Sequence, residues 1–368
     1  MFYALYSQNL RTMKRASTII LATAFCTLLS AQPKVKNVIF MIGDGMGINQ
    51  VYAALTANGG SLNIEQCPVT GFSKSYSASH YITDSAAGGT ALATGTKTRN
   101  NMVGMAPDSV TPLYSSLYYA EQAGKATGIV VTCPLTHATP ANFYAHQIAR
   151  NMYEDIALDL LQANIDVMIG GGRRNLENRS DKQNLSEQFA ARGYDVVYTE
   201  EDLQKSTNTK ILAPLADVDM PIASKRGNYL PDAVEKAINT LAQDTNGFFL
   251  MVEGSQIDYQ CHNNNADEMI QEMLDFDRAI GRALDFARKD GNTLIVITAD
   301  HETGALSIID GDFATGRVEC KFNKPNHSGV PVPVFAFGPC AEKFTGMQQN
   351  TAFRNKLLEA LGIALPNK

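Results

Sequence analysis

Short, continuous apolar runs recur along this chain, and each adjoins a turn that carries glycine or an ionisable side chain. Residues 37–42 run into Gly43-Asp44-Gly45-Met46-Gly47, and residues 128–132 lead to Thr136-His137-Ala138-Thr139-Pro140. Residues 165–169 stop at a glycine run, which lacks the spacing of a phosphate-binding P-loop and reads as a turn. Residues 248–252 end at Glu253, and residues 293–298 end at Asp300-His301-Glu302-Thr303-Gly304. The last run, 332–337, follows His327-Ser328-Gly329, and its prolines suit an edge strand. Runs of this kind are strands buried on both faces, as in a parallel sheet.

Between the runs lie segments with helical spacing: after Asp84-Ser85, and over 113–123, 141–150, 269–288 and 351–361. Pro140 fits a first helical turn, with Thr139 as its cap. In the 269–288 segment Met269, Met273, Phe276, Ile280 and Leu284 share the core-facing stripe, while Glu268, Glu272, Asp275 and Asp277 read as a solvated face. The alternation predicts an α/β fold, a doubly wound, mostly parallel sheet with helices on both faces. It forms one domain over 32–368, and the polar segment 174–230, broken by Pro214 and Pro221, makes a peripheral excursion.

Composition bounds the function classes. The chain has 368 residues, 45% hydrophobic and 18% charged, which is globular and ample for a core without staples. A net charge of −6 argues against a nucleic-acid-binding surface but leaves room for a local cationic site. Met13-Lys14-Arg15, an apolar run from Ile19 to Leu29, and Ser30-Ala31-Gln32 have the layout of a secretory signal peptide over residues 1–31, with Met13 as an alternative start. The expected location is therefore periplasmic or secreted, with no stable membrane anchor. Loss of Cys26 with that segment leaves Cys67, Cys133, Cys261, Cys320 and Cys340, with no CxxC pair, so neither a disulfide framework nor a thiolate zinc site is indicated.

The chemistry gathers at strand ends. Asp44, Glu253, Asp300 and His301 sit there, with Asp258 and His262 four residues apart on one helical face and His327 ahead of the last strand. Taken one at a time, each has an ordinary reading: Asp44 as a cap, His137 as a core or capping histidine, Arg150 as a surface arginine. Ser85 alone reads equally well as part of a capped, alanine-rich helix. Ligands converge at the carboxyl edge of an open α/β sheet, which is where these residues fall together. Mixed Asp/His ligation suits zinc, and a set of oxygens (Asp44, Thr139, Glu253) suits magnesium. Asp300-His301 is not HExxH, so a thermolysin-like centre is excluded.

Ile82-Thr83-Asp84-Ser85-Ala86-Ala87-Gly88-Gly89-Thr90 resembles the active-site signature of the alkaline phosphatases. The Asp44, Thr136–Pro140, Val252–Asp258, Thr298–Gly304 and His327 motifs fall in that family's order. The resemblance implies a phosphomonoesterase with two zinc ions and one magnesium ion acting on small phosphate monoesters. Ser85 matches the nucleophile and Arg150, eleven residues after Thr139, the phosphate clamp. Asp258, His262 and His327 match one zinc set, Asp44, Asp300 and His301 the other, and Asp44, Thr139 and Glu253 the magnesium set. Asp84, His137 and Tyr259 neighbour the substrate and third-ion positions. His137 stands where some members carry Asp, and Tyr259 where some carry Lys, Trp or His. The family's frequent dimers imply a homodimer by analogy. Other readings are a same-fold phosphodiesterase or sulfatase, or an inactive metal- or phosphate-binding protein. Ser85 lacks the CxPxR or SxPxR context of sulfatases, and an intact Asp84-Ser85 pair opposes loss of turnover.

Overall fold

The computed structural model describes residues 35–364, so the signal peptide expected over 1–31 lies outside the described residues. The strands nearest the amino end of the domain are β1 (Asn37–Gly43), β2 (Val69–Lys74), β3 (Ala126–Pro134) and β4 (Val167–Gly171). They are followed by β5 (Asp195–Val196), β6 (Ile211–Pro214), β7 (Phe248–Gly254) and β8 (Thr293–Thr298). Two short pairs come next: β9 (Glu302–Thr303) with β12 (His327–Ser328), and β10 (Ser307–Asp312) with β11 (Arg317–Lys321). β13 (Val332–Phe337) and β14 (Gly346–Gln349) complete the set.

Ten strands form one sheet in the order β14-β2-β13-β8-β1-β7-β3-β4-β6-β5. β1 runs parallel to both β7 and β8, and β13 is antiparallel to β8 and β2. The mostly parallel, doubly wound sheet expected from the alternating runs is therefore present, with a mixed edge. Side-chain alternation along β1 separates two cores: Ile39 and Met41 face one, while Val38, Phe40 and Ile42 face the other. Helices Ile48–Ala57, Tyr229–Leu241 and Ala266–Asp290 cover the first face. Helices Ser85–Thr94, Ser116–Gln122, Tyr153–Gln162 and Ala352–Ala360 cover the second. Among the described residues no helix is long and apolar enough to cross a membrane. Cys67, Cys133, Cys261, Cys320 and Cys340 are free thiols.

Several expectations need correction. The helix expected over 141–150 is only Ala138–Ala141, because the chain turns extended to bridge Gln147 against Val103. His137, not Thr139, is the capping position, and Thr139 lies inside the turn. β13 is not an edge strand. Pro333 is tolerated because pairing with β8 begins only at Phe335, and its carbonyl accepts from Thr298 Oγ1 at 3.0 Å. Segment 174–230 extends the sheet with β5 and β6 as well as passing over it. The acids of the long helix do not form a solvated face: Glu272, Asp275 and Asp277 are buried. Arg226 donates to both Glu272 and Asp275, and Asp277 accepts from the backbone N–H groups of Asn63 and Ile64.

Candidate active site

β1, β3, β7 and β8 are neighbours in the middle of the sheet, and their carboxyl ends open on one edge. Asp44 follows β1 and is fully buried, its N–H donating to Gly254 O at 3.2 Å across the β1–β7 pair. Gly45 holds a left-handed φ of 74°, and a Cβ there would lie 2.9 Å from the Asp258 backbone. The missing side chain lets the Asp258 helix (Gln256–His262) close on the Asp44 turn.

Ser85 opens its helix behind Asp84, whose Oδ1 accepts from Ala87 N at 3.0 Å. The run of small residues has a packing cause. A Cβ on Gly88 would come within 2.9 Å of Asp300 O, and one on Gly89 within 2.1 Å of Asn142 Nδ2. Asn142 then donates to Ser85 O at 3.0 Å and accepts from Thr90 Oγ1 at 2.7 Å. The serine is thereby clamped against the end of β8, with its Oγ 3.1 Å from His301 Nε2.

The residues chosen from sequence come together in three sets. Asp258, His262 and His327 bring ligand atoms within 4.8 Å of one another, and so do Asp44, Asp258 and His301. Asp300 Oδ2 lies 3.2 Å and Asp44 Oδ1 3.5 Å from His301 Nε2, which places Asp300 with the second set. Thr139 Oγ1 is 3.4 Å from Asp44 Oδ2, and Glu253 ends the neighbouring strand. Arg150 sits in a turn between Asp84 Oδ2 (3.6 Å) and His137 Nε2 (3.1 Å). Tyr259 does not offer its hydroxyl to Ser85: it donates to Asp219 Oδ1 at 3.1 Å, with its ring against the edge of His137. His146 is structural, with Nδ1 2.9 Å from Gly104 O, whereas His80 is exposed.

Hydrogen-bond logic fixes the ring protons. A carbonyl only accepts, so His262 Nδ1 donates to Pro325 O and His327 Nδ1 to Thr83 O. In the neutral rings both Nε2 atoms then carry lone pairs that face each other at 3.1 Å, while Asp258 Oδ2, 3.2 Å from His262 Nε2, raises the pKa of that ring. Thr303 Oγ1 donates to Asp258 Oδ1, so it accepts from His301 Nδ1 at 3.2 Å, leaving His301 Nε2 as an acceptor beside Ser85. Thr303 was not singled out from sequence, although it stands two residues after His301.

Acceptors thus outnumber donors. Asp44 Oδ1, Glu253 Oε1 and Asp300 Oδ2 are buried without hydrogen-bond partners. Burial, reinforced by the neighbouring carboxylates, pushes the Asp44, Glu253 and Asp300 carboxyls well above the usual range. Burial also drives His301 down, helped by His327, and His137 down to about 3, helped by Arg150. A buried nest of carboxylates and imidazole lone pairs without counter-charge is costly, and divalent cations are what such a donor set fits.

Comparison with known proteins agrees. The sequence model of the family described as "Alkaline phosphatase" matches residues 35–312. Alkaline phosphatase 4 of Bacillus subtilis (strain 168) is 39% identical over 89% of each chain. The alkaline phosphatase of Escherichia coli (strain K12) is 32% identical over 91% of this chain and 88% of that one. The solved alkaline phosphatase of the Antarctic bacterium TAB5 superposes with a TM-score of 0.86 at 37% identity, covering 91% of this chain and all of that one (100%). A histidine-to-aspartate variant of that enzyme, solved with magnesium bound in its M3 site, matches equally well, with a TM-score of 0.86. With the sheet, the serine-led helix and the sequence all in agreement, this chain belongs to the metal-dependent alkaline phosphatase family and is a phosphomonoesterase.

Proposed function

We propose that the chain hydrolyses small phosphate monoesters through a phosphoserine on Ser85, with two zinc ions and a third divalent ion in place, after export from the cytoplasm. Ser85 Oγ, held 3.1 Å from His301 Nε2 at a helix N-terminus, is the observation that carries the reading. Its hydroxyl gives up a proton to solvent as the oxygen attacks phosphorus, the ester P–O bond breaks, and the leaving alkoxide takes one proton from solvent to depart as the alcohol. Water then attacks the phosphoserine and returns Ser85 with inorganic phosphate.

Asp258, His262 and His327 would hold one zinc ion, and Asp44, Asp300 and His301 the other, with Asp44, Thr139 and Glu253 holding magnesium. When bound, the paired ions stabilise negative charge on the attacking and leaving oxygens. The chain's own groups do the rest. The Ser85 helix points its free N–H groups towards an anionic substrate. Arg150 offers a planar fork of donors to two non-bridging oxygens, which suits a monoester dianion better than a diester. Asp84 and His137 hold that fork beside the serine. Asn142 and the glycine contacts keep the serine from retreating into the sheet. A homodimer is the assembly proposed by family analogy.

Ser85→Ala tests the nucleophile. Turnover is expected to fall by roughly 10³-fold or more while zinc content is retained. Acid quenching of wild-type protein during turnover should leave phosphate on the Ser85 peptide. Undiminished turnover in Ser85→Ala, or a label on another residue, would overturn the assignment.

A further inference from the structure

Cys133 takes no part in the scheme above, yet it lies against one of its carboxylates. It follows Val131 by two positions on β3, on the same side of the strand, and Val131 is in register with Glu253 of β7. The Cys133 thiol lies 3.4 Å from Glu253 Oε2 and is fully buried. Cys133, His137 and Glu253 bring one sulfur, one ring nitrogen and one carboxylate oxygen within 4.8 Å of one another. Two atoms there are buried and unpartnered: Glu253 Oε1, on a side chain with 0% exposure, and His137 Nδ1. A thiol in an ordinary core packs on apolar atoms. This one completes a trio of donors of three kinds around an unsatisfied carboxylate.

We propose that Cys133 is a metal ligand, and that it gives the third cation site two alternative modes. The inference rests on the reading that a third site exists at Glu253. In the oxygen mode Glu253 works with Asp44 and Thr139 and takes magnesium. In the mixed mode the same carboxylate works with Cys133 and His137 and takes zinc or cobalt(II), because thiolate and imidazole favour those ions strongly over magnesium. The thiol proton passes to solvent as the ion binds. Both modes draw on Glu253 and serve one third ion, so the metal in excess decides which mode is filled.

The mixed mode has a consequence for Arg150. His137 Nε2 accepts from Arg150 Nη2 at 3.1 Å. An ion on Nε2 takes up that lone pair, and an ion on Nδ1 moves the ring proton onto Nε2. Either way the ring stops accepting from Arg150, and the guanidinium is released from one of its two anchors.

The test uses the full-length protein with two zinc equivalents bound and cobalt(II) added as the third. A thiolate-to-cobalt charge-transfer band in the near ultraviolet is expected, and excess magnesium should bleach it. Cys133→Ser and Cys133→Val should both lack the band, and Cys261→Ser should keep it. Zinc competition should show the third ion held about tenfold or more weakly in Cys133→Ser. Circular dichroism melting identifies any variant that fails to fold, and the paired Ser and Val variants keep the comparison available. A third cobalt ion bound without the band, or a band that follows Cys261, would overturn the role of Cys133. Failure to bind any third ion would instead remove the third-site reading and this inference with it.

Discussion

His262 and His327 face each other through their Nε2 atoms at 3.1 Å, and as neutral rings neither has a proton to place between them. Their Nδ1 protons already go to Pro325 O and Thr83 O. Between neutral rings the contact is repulsive; a proton on His262, which Asp258 Oδ2 at 3.2 Å favours, or a metal ion relieves it, and the ion should need both rings. His327→Ala is expected to lose one zinc per chain and to lower kcat/KM by more than about 100-fold. Elemental analysis together with rates on an aryl phosphate checks this, and full zinc content with normal rates would exclude His327 as a ligand.

The metal-free protein should respond to pH in an unusual direction. Asp44, Glu253 and Asp300 have carboxyls raised in the folded state, Glu253 to about 8, by burial first and mutual repulsion second. A raised folded-state pKa means the native chain holds protons that the unfolded chain releases. That stability is present below the ordinary carboxylate range and is lost as pH rises from about 4 to about 8. The depressed His137, His301 and His327 act with the opposite sign below about 6.5, so above that range chelator-stripped protein should melt at a falling temperature as pH rises to 8, and divalent ions should reverse the trend. Melting curves across that range decide the matter, and a stripped protein that gains stability with rising pH would contradict it.

Thr303 joins the two proposed zinc sets through a single hydroxyl, which donates to Asp258 and accepts from His301. Thr303→Val keeps the shape and removes both bonds, freeing the His301 ring to take the wrong tautomer. Expected is a fall of about 10–100-fold in zinc affinity and kcat/KM, with Thr303→Ser restoring most of both. Equal behaviour of the Val and Ser variants would show that the hydroxyl is not used.

Arg226 is a stability residue whose side chain bonds to Pro221 O, Glu272 and Asp275, none of them a candidate ligand. It meets Glu272 Oε2 and Asp275 Oδ2 at 2.6 Å each, all three side chains buried. Arg226→Ala leaves buried Glu272 with only the Ala223 N–H, while Asp275 keeps Arg278, and should cost about 3–5 kcal/mol. Replacing all three with apolar side chains of similar volume should recover much of that. Urea unfolding measures both, and a single variant within about 1 kcal/mol of the parent would mean water compensates the carboxylates.

What could be read from the chain, and what could not, follows from the range of the interactions. The apolar runs that became β1, β3, β7 and β8 are buried on both faces, and their ligand residues sit at the carboxyl ends, so strand and chemistry are written together locally. β2, with a glycine near its centre and polar Thr70, Ser73 and Lys74 in no regular alternation, has no such signature and exists through pairing with β13 and β14. Glu272 and Asp275 flank an apolar stripe. Helical spacing cannot tell a flank facing water from one facing an arginine 46 and 49 residues earlier. The same limit hid Thr303 and Cys133, whose significance lies in partners 45 and 120 positions away.

β13 inserts between β8 and β2 and follows directly on the segment that carries His327. β12, which carries that imidazole, thus runs within a few residues into the strand that joins β2 to the rest of the sheet. A ribosome must complete most of the polypeptide before any zinc-holding trio that includes this residue can exist. Translation products that stop short of β12 would lack the proposed His327 ligand and should be inert towards phosphorylated metabolites.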